Sequence, residues 1–179
     1  MSLLDKILNK AINNEFLTDE EIAFLLDLKI DEQRKELFKA ARKMREKYFK
    51  NKIFLYGFVY FSTYCRNKCN FCYYRKENNN SIRYRKSLDE ILAIADALKK
   101  SGVHLLDLTM GEDPYFLSRG REGYNELIEI VKVVKEKTKL PLMISPGIVP
   151  KDVLNDLSKV GANWYACYQE THSIDLYKK

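Results

Sequence analysis

The chain is short of the residues that interrupt structure: its 179 residues include only 7 glycines and 4 prolines. That excludes a collagen-like or linker-dominated polymer. It has no long apolar run. The longest uncharged stretch starts at Ile53 and ends at a cluster of cysteines, which is too short for a membrane-spanning helix of about 20 residues. The opening MSLLDKILNK has no apolar segment ahead of a small-residue cleavage site, so no secretory signal is read. A cytoplasmic location is expected, where thiols stay reduced. Four cysteines are few, and their spacing does not suit a secreted disulfide framework. Cys65, Cys69 and Cys72 form C-x3-C-x2-C, and Cys167 lies far away.

Hydrophobic residues make up 46% of the chain and charged residues 31%, enough of the former to bury a core. The net charge is +6, and it is unevenly placed. The window 65–86 holds seven basic side chains against Glu77 alone, and the rest of the chain is nearly balanced. Three readings fit this window. It can be a solvated loop, a nucleic-acid surface with interleaved Tyr73, Tyr74 and Tyr84, or a docking face for an acidic electron donor. No nucleic-acid recognition module is visible, so donor docking is preferred.

Residues 1–50 read as helical. Thr18 with Glu21 forms a capping box ahead of Ile22, Leu25 and Leu26, and a second helix is expected over 31–49. The pattern then changes. Residues 53–61 are aromatic and β-branched without helical spacing, which predicts a buried strand. The cysteine loop follows. Ser87 with Glu90 opens another helix, which stops at Gly102. Further strands are predicted at 104–110, 140–145 and 163–170. Helices are predicted at 123–138 and from Pro150 to Gly161, and SIDLYKK reads as the start of one more. Alternating strands and helices imply a parallel sheet with right-handed crossovers. The fold class expected is α/β: a partial (β/α) barrel of about four units, preceded by two N-terminal helices. A complete barrel takes about 250 residues. The domains expected are a helical extension, 1–51, and an N-terminal barrel half, 52–179, truncated after strand four.

The cysteines follow the first predicted strand. In a parallel barrel this is the carboxyl end, where active sites lie. Three thiolates on one loop can hold three irons of a [4Fe–4S] cluster and leave the fourth free for a small molecule. The alternative is zinc, with Cys167, His104 or His172 as a fourth ligand. Asp107 is conspicuous on physical grounds. A carboxylate mid-strand between Leu106 and Leu108 is costly unless partnered, and alternation puts it with Thr109 on the face opposite the leucines. It can receive a cationic amine in a barrel lumen or pair with a neighbouring Lys or Arg. Cys167 reads as a small core residue on strand four. His104 reads as structural, and His172 has no assigned role.

CRNKCNFC resembles the CxxxCxφC signature of radical S-adenosylmethionine (SAM) enzymes, with Phe71 as the aromatic residue. With YFSTYCRNKCNFCYY, LDLTMGEDPY, LPLMISPGI and YQET, nearly the whole chain is similar to the methylornithine synthase family of pyrrolysine biosynthesis, within the biotin-synthase-like group. The resemblance implies a TIM-like radical SAM barrel and two cofactors, a [4Fe–4S] cluster and SAM. Cys65, Cys69 and Cys72 would be the metal ligands. The open iron would bind SAM, and reductive cleavage would yield a 5′-deoxyadenosyl radical. The implied reaction is isomerisation of L-lysine to (3R)-3-methyl-D-ornithine. Gly111 and Glu112 match a Gly-Gly-Glu-like SAM element in which Met110 replaces the first glycine. Ser145 matches a polar residue facing SAM or substrate, or else shapes the turn before Pro146 and Gly147. Tyr168 and Glu170, expected to end strand four on one face, would approach SAM. Asp107 matches an aspartate that holds the substrate ammonium. Another biotin-synthase-like enzyme, such as a hydrogenase maturase, is the alternative, and a non-catalytic zinc or nucleic-acid module is a more distant one. The implied partners are L-lysine, an acidic ferredoxin- or flavodoxin-type donor and the missing barrel half, with neither nucleic acid nor membrane.

Overall fold

The computed structural model describes residues 1–178 and divides into two compact units, Met1–Ile53 and the remainder from Phe54. In the first unit three helices form: α1 (Leu3–Ile12), α2 (Asp19–Leu26) and α3 (Asp31–Phe49). The extra helix is α1. Its capping box, Ser2 with Asp5, uses an aspartate where the usual pattern has Glu or Gln, so the sequence cue was missed. Thr18 and Glu21 cap α2 as expected. Leu4, Leu8, Leu28 and Ala40 form a small core in this unit.

The second unit is a four-stranded parallel sheet in the order β1-β2-β3-β4, covered by helices on one face. Its elements are β1 (Tyr56–Ser62), α4 (Leu88–Lys100), β2 (Leu105–Met110), α5 (Pro114–Leu117), α6 (Arg121–Thr138), β3 (Leu142–Ser145), α7 (Lys151–Lys159), β4 (Ala162–Tyr165) and α8 (Ile174–Tyr177). The sheet is not closed: β1 and β4 are its two edges among the described residues. This is the α/β half-barrel expected, with helices preceding the sheet.

The helix boundaries follow their caps. Ser87 accepts from the backbone N–H of Glu90, and the Glu90 side chain returns to the backbone of Ser87. Pro150 stands at the N-cap of α7 rather than inside its first turn, and Gly161 closes that helix at φ +105°.

Two strand expectations need correction. Residues 53–61 were expected to be a buried strand, but β1 starts at Tyr56 and alternates. Val59 and Phe61 are fully buried, whereas Tyr56 and Phe58 are about half exposed, because helices cover only one face of the open sheet. The fourth strand ends at Tyr165 instead of 170. β3 has four residues and ends at Ser145; the Ala166 N–H donates to the Ile144 carbonyl at 3.0 Å, and the chain beyond Ala166 has no ladder to extend.

The core lies between the sheet and α4, α6 and α7. Val59, Phe61, Leu106, Leu108, Leu142 and Ile144 point into it, against Ile91, Leu127, Val131 and Leu157. The opposite face carries Phe58, Asp107, Met143 and Trp164 in one register row. Tyr60, Thr109 and Ser145 form the next. Leu108 is fully buried at the centre of this sheet. Leu108→Ala should lower stability by about 2–5 kcal/mol, the range for a large-to-small change in a packed core. Urea unfolding followed by circular dichroism measures it.

Candidate functional site

The site forms at the carboxyl ends of β1, β2 and β3. β1 runs out at Ser62, and the chain leaves the sheet as an irregular loop that returns at Arg85, opposite Ser62 in an antiparallel bridge. Cys65, Cys69 and Cys72 lie on this loop as free thiols, Cys69 exposed and the other two half-buried. The backbone N–H of Cys72 donates to the carbonyl of Cys69 at 3.0 Å. The N–H of Asn67 donates to Cys65 Sγ at 3.5 Å. Partial burial pushes the Cys69 thiol up, and the neighbouring thiols of Cys65 and Cys72 and the carboxylate of Glu170 add to the push. Among the described residues no three His, Cys, Asp or Glu side chains are gathered round one point. Phe71 is 69% exposed.

Gly111 follows β2 and lies directly against this loop. A Cβ there would sit 2.3 Å from the carbonyl oxygen of Tyr64 and 2.9 Å from Cys65 Cβ. Only glycine lets the two backbones approach this closely. The contact is tied by hydrogen bonds from Gly111 N–H to the Ser62 carbonyl at 2.9 Å and from Arg66 N–H to the Glu112 carbonyl at 3.0 Å.

Glu112 bridges two loops. Its Oε2 accepts from Arg66 Nε of the cysteine loop at 2.8 Å, and its Oε1 accepts from the backbone N–H of Ile148, after β3, at 3.1 Å. Gly147 makes room for it: at φ +81°, a Cβ would fall 2.2 Å from Glu112 Cγ.

Next in sequence, Asp113 is fully buried. Its Oδ2 accepts from Ser62 Oγ at 2.5 Å and Arg85 Nε at 2.7 Å. Its Oδ1 accepts from Arg85 Nη2 at 2.8 Å and the N–H of Tyr115 at 2.9 Å. Burial alone would push this carboxyl up. The hydrogen bonds from Arg85, Ser62 and Tyr115 outweigh it and hold the group below the usual carboxylate range. The Arg85 guanidinium also faces the rings of Tyr64 and Tyr115, at 4.8 and 4.3 Å. Sequence reasoning passed over Asp113. The available signal was Asp-Pro, an N-cap followed by proline in the first turn of α5.

Asp107 is 1% exposed on the face opposite the leucines. Its partner is Ser145, whose Oγ donates to Oδ1 at 2.9 Å, and not a Lys or Arg. The other oxygen, Oδ2, is buried without a hydrogen-bond partner. Burial raises the Asp107 carboxyl above its ordinary range, and the Ser145 hydrogen bond offsets only part of that.

Three expectations fail at β4. Cys167 is exposed rather than a core residue. Tyr168 and Glu170 lie beyond the strand, both exposed, so no strand alternation sets their faces. The physical reason is again the short β3: the Ala166 N–H still donates to the Ile144 carbonyl at 3.0 Å, and the chain after it finds no further strand to pair with. Glu170 nonetheless stands close enough to Cys69 to affect its thiol. His104 is structural: its Nδ1 accepts from the N–H of Leu55 at 3.1 Å. His172 lies beside Gln169.

The profile of the Radical SAM superfamily matches residues 59–179. The chain belongs to the radical SAM superfamily. Among radical SAM relatives, it is 45% identical over 175 residues to the 3-methylornithine synthase of Methanosarcina barkeri, covering 98% of this chain and 49% of that protein. It is 30% identical to the FeFe hydrogenase maturase subunit HydE of Thermotoga maritima, covering 97% of this chain and 48% of that one. The crystal structure of methylornithine synthase (PylB) matches with a TM-score of 0.84 at 45% identity, over 97% of this chain and 50% of that chain. The chain therefore spans about half the length of the curated relatives it matches. Membership of a radical SAM family implies use of an iron–sulfur cluster and SAM. The donor set here fits such a cluster: three soft, unpaired thiols on one loop, with Cys65 Sγ already accepting a backbone N–H. Among the described residues no helix is long and apolar enough to cross a membrane.

Gly111→Ala forces the cysteine loop off the end of β2. It should cost about 1–3 kcal/mol, the range for overpacking at a site that cannot relax freely. Urea unfolding gives the loss, and unchanged far-ultraviolet circular dichroism would show that the sheet survives. For Asp107, the folded-state value is raised above the unfolded one of about 3.9. Folding therefore favours the protonated acid. The stability it contributes is present below pH ~4 and lost as pH rises through the folded value. The stability difference between wild type and Asp107→Asn should fall as pH rises above about 4, by urea titration at a series of pH values. A flat difference would mean that Asp107 titrates as an ordinary carboxylate.

Proposed function

We propose that the chain is the cofactor-binding half of a radical SAM mutase that isomerises L-lysine to (3R)-3-methyl-D-ornithine in pyrrolysine biosynthesis. One observation carries the reading. A three-thiol loop is packed onto Gly111 and Glu112 at the carboxyl end of β2, above a buried Asp107 whose Oδ2 has no partner. The 45% identity to 3-methylornithine synthase supports it.

In this reading Cys65, Cys69 and Cys72 hold a [4Fe–4S] cluster, which supplies the single electron that cleaves SAM reductively. Glu112 accepts hydrogen bonds from the SAM ammonium group. Its oxygens already take N–H donors from two loops, so an incoming ammonium would share or replace the Arg66 contact. Phe71 and Gly111 shape the cofactor side of the loop, and Tyr168 and Glu170 approach SAM from the segment after β4. Ser145 orients Asp107 through Oδ1 and leaves Oδ2 for the substrate ammonium. A buried carboxylate without a countercharge is costly, and a cationic ligand removes that cost. Aromatic Phe58, Tyr60 and Trp164 on the same face would keep water from the reacting carbon. The second half of the barrel would close this lumen. An acidic ferredoxin- or flavodoxin-type donor would dock on the basic rim of the loop.

The 30% identity to HydE supports a second reading, a biotin-synthase-like enzyme of the maturase kind. Product analysis with L-lysine, in a chain that includes the remaining half of the barrel, separates the two.

Anaerobic reconstitution should give about four irons per chain. Replacement of Cys65, Cys69 or Cys72 by Ala should abolish iron uptake, while Cys167→Ala should leave it unchanged. Iron content with the visible and electron paramagnetic resonance spectra measures this. Stoichiometric zinc in place of iron, or a cluster that survives without Cys69 and is lost without Cys167, would refute the ligand set.

A further inference from the structure

The cysteine loop, 63–84, has no helix and no strand of its own. Its backbone carbonyls need partners, and such a loop gains order only where something collects them. Thr63, Tyr73, Arg75 and Asn78 each collect one, and Arg83 collects four. The Arg83 guanidinium donates through Nη1 to the carbonyl of Thr63 at 2.5 Å and of Tyr74 at 2.9 Å. Through Nη2 it donates to the carbonyl of Arg75 at 2.7 Å and of Asn78 at 3.4 Å. Thr63 lies just before Cys65, and Tyr74 and Arg75 lie just after Cys72. The four acceptors therefore bracket the thiols on both sides.

Arg83 makes no ion pair with any described carboxylate. Its neighbours Arg66, Lys68 and Arg85 do, with Glu112, Glu77 and Asp113. Its donors are spent on backbone oxygens. The stem is fixed as well: Thr63 N–H donates to the Tyr84 carbonyl at 3.1 Å, and Tyr84 N–H donates to Thr63 Oγ1 at 2.9 Å. Charge-assisted bonds to several carbonyls need the planar fork of arginine. Lysine has three donors on one nitrogen, too few for four carbonyls and without the second nitrogen that reaches Arg75 and Asn78 here.

We propose that Arg83 is the positioning residue of the cysteine loop: its guanidinium ties both flanks of Cys65, Cys69 and Cys72 to one point and so presets the loop for its ligand. Its purpose rests on the cluster reading above; the tie itself does not.

The test is hydrogen–deuterium exchange with mass spectrometry on the iron-free full chain, comparing wild type with Arg83→Lys, Arg83→Met and, as a charge control in the same window, Lys86→Gln. Both Arg83 variants should exchange the amides of 64–82 about tenfold faster or more, the effect of losing at least one hydrogen bond to a charged group. Exchange in β2 and β3 should be unchanged, and Lys86→Gln should behave as wild type. Arg83→Lys keeps the charge, so wild-type exchange in that variant would refute the role of the fork. Equal acceleration throughout the sheet in both variants, or acceleration of the loop in Lys86→Gln, would also overturn the proposal. In parallel, iron retention against a chelator after reconstitution should be shortened in Arg83→Lys. If wild type takes up no cluster while the exchange result holds, the cluster reading fails and the tie stands.

Discussion

The site depends on the buried carboxylate of Asp113. It is fully buried, and each of its oxygens takes donors from parts of the chain far apart in sequence: Ser62 at the end of β1, Arg85 where the cysteine loop returns, and Tyr115 in α5. A buried charge is tolerable only when paired and hydrogen-bonded, so the three segments are held where the carboxylate needs them. Met110, Gly111 and Glu112 lie immediately before it and inherit that position. The loop that carries the thiols begins and ends on the same group.

The parallel sheet then divides the labour between its faces. Leucine, valine and isoleucine from β1, β2 and β3 fill the space under the helices, and this packing supplies the stability. The other face holds aromatic side chains and Asp107, which contributes nothing favourable while ionised and unpaired. Such a group lowers stability, and departures of this kind from good packing are where functional sites are sought in natural chains.

Much of the architecture was legible. Capping boxes at Thr18 and Ser87 placed two helix starts, since Ser or Thr followed three residues later by Glu satisfies two orphan donors at once. Alternation put Asp107 opposite Leu106 and Leu108, and the structure agrees. The failures at β4 share one cause: strand length in a sheet is set by the neighbour. β4 could not be read as ending at Tyr165, because its end depends on β3 stopping at Ser145. Tyr168, Glu170 and Cys167 were misplaced with it. Half-burial of β1 was hidden for a related reason, as a run rich in Phe and Tyr reads alike whether one face or both are covered. Arg83 could not be singled out from the sequence, because its partners are backbone carbonyls. Asp113 offered only an N-cap cue before Pro114, and its buried partners lie 28 and 51 positions away.

The bridge between Ser62 and Arg85 means that the chain leaves the sheet and returns to it at almost one place. The segment between is a closed excursion, held to the sheet at its two ends and, just inside them, where Tyr64, Cys65 and Arg66 meet Gly111 and Glu112. Loop-closure entropy grows only as the logarithm of length, and doubling such an excursion costs about 0.6 kcal/mol. A scaffold joined this way can accept changes of length in the far part of the loop, beyond Arg66, without renegotiating its core. It is an architecture in which new chemistry can be exchanged as a cassette.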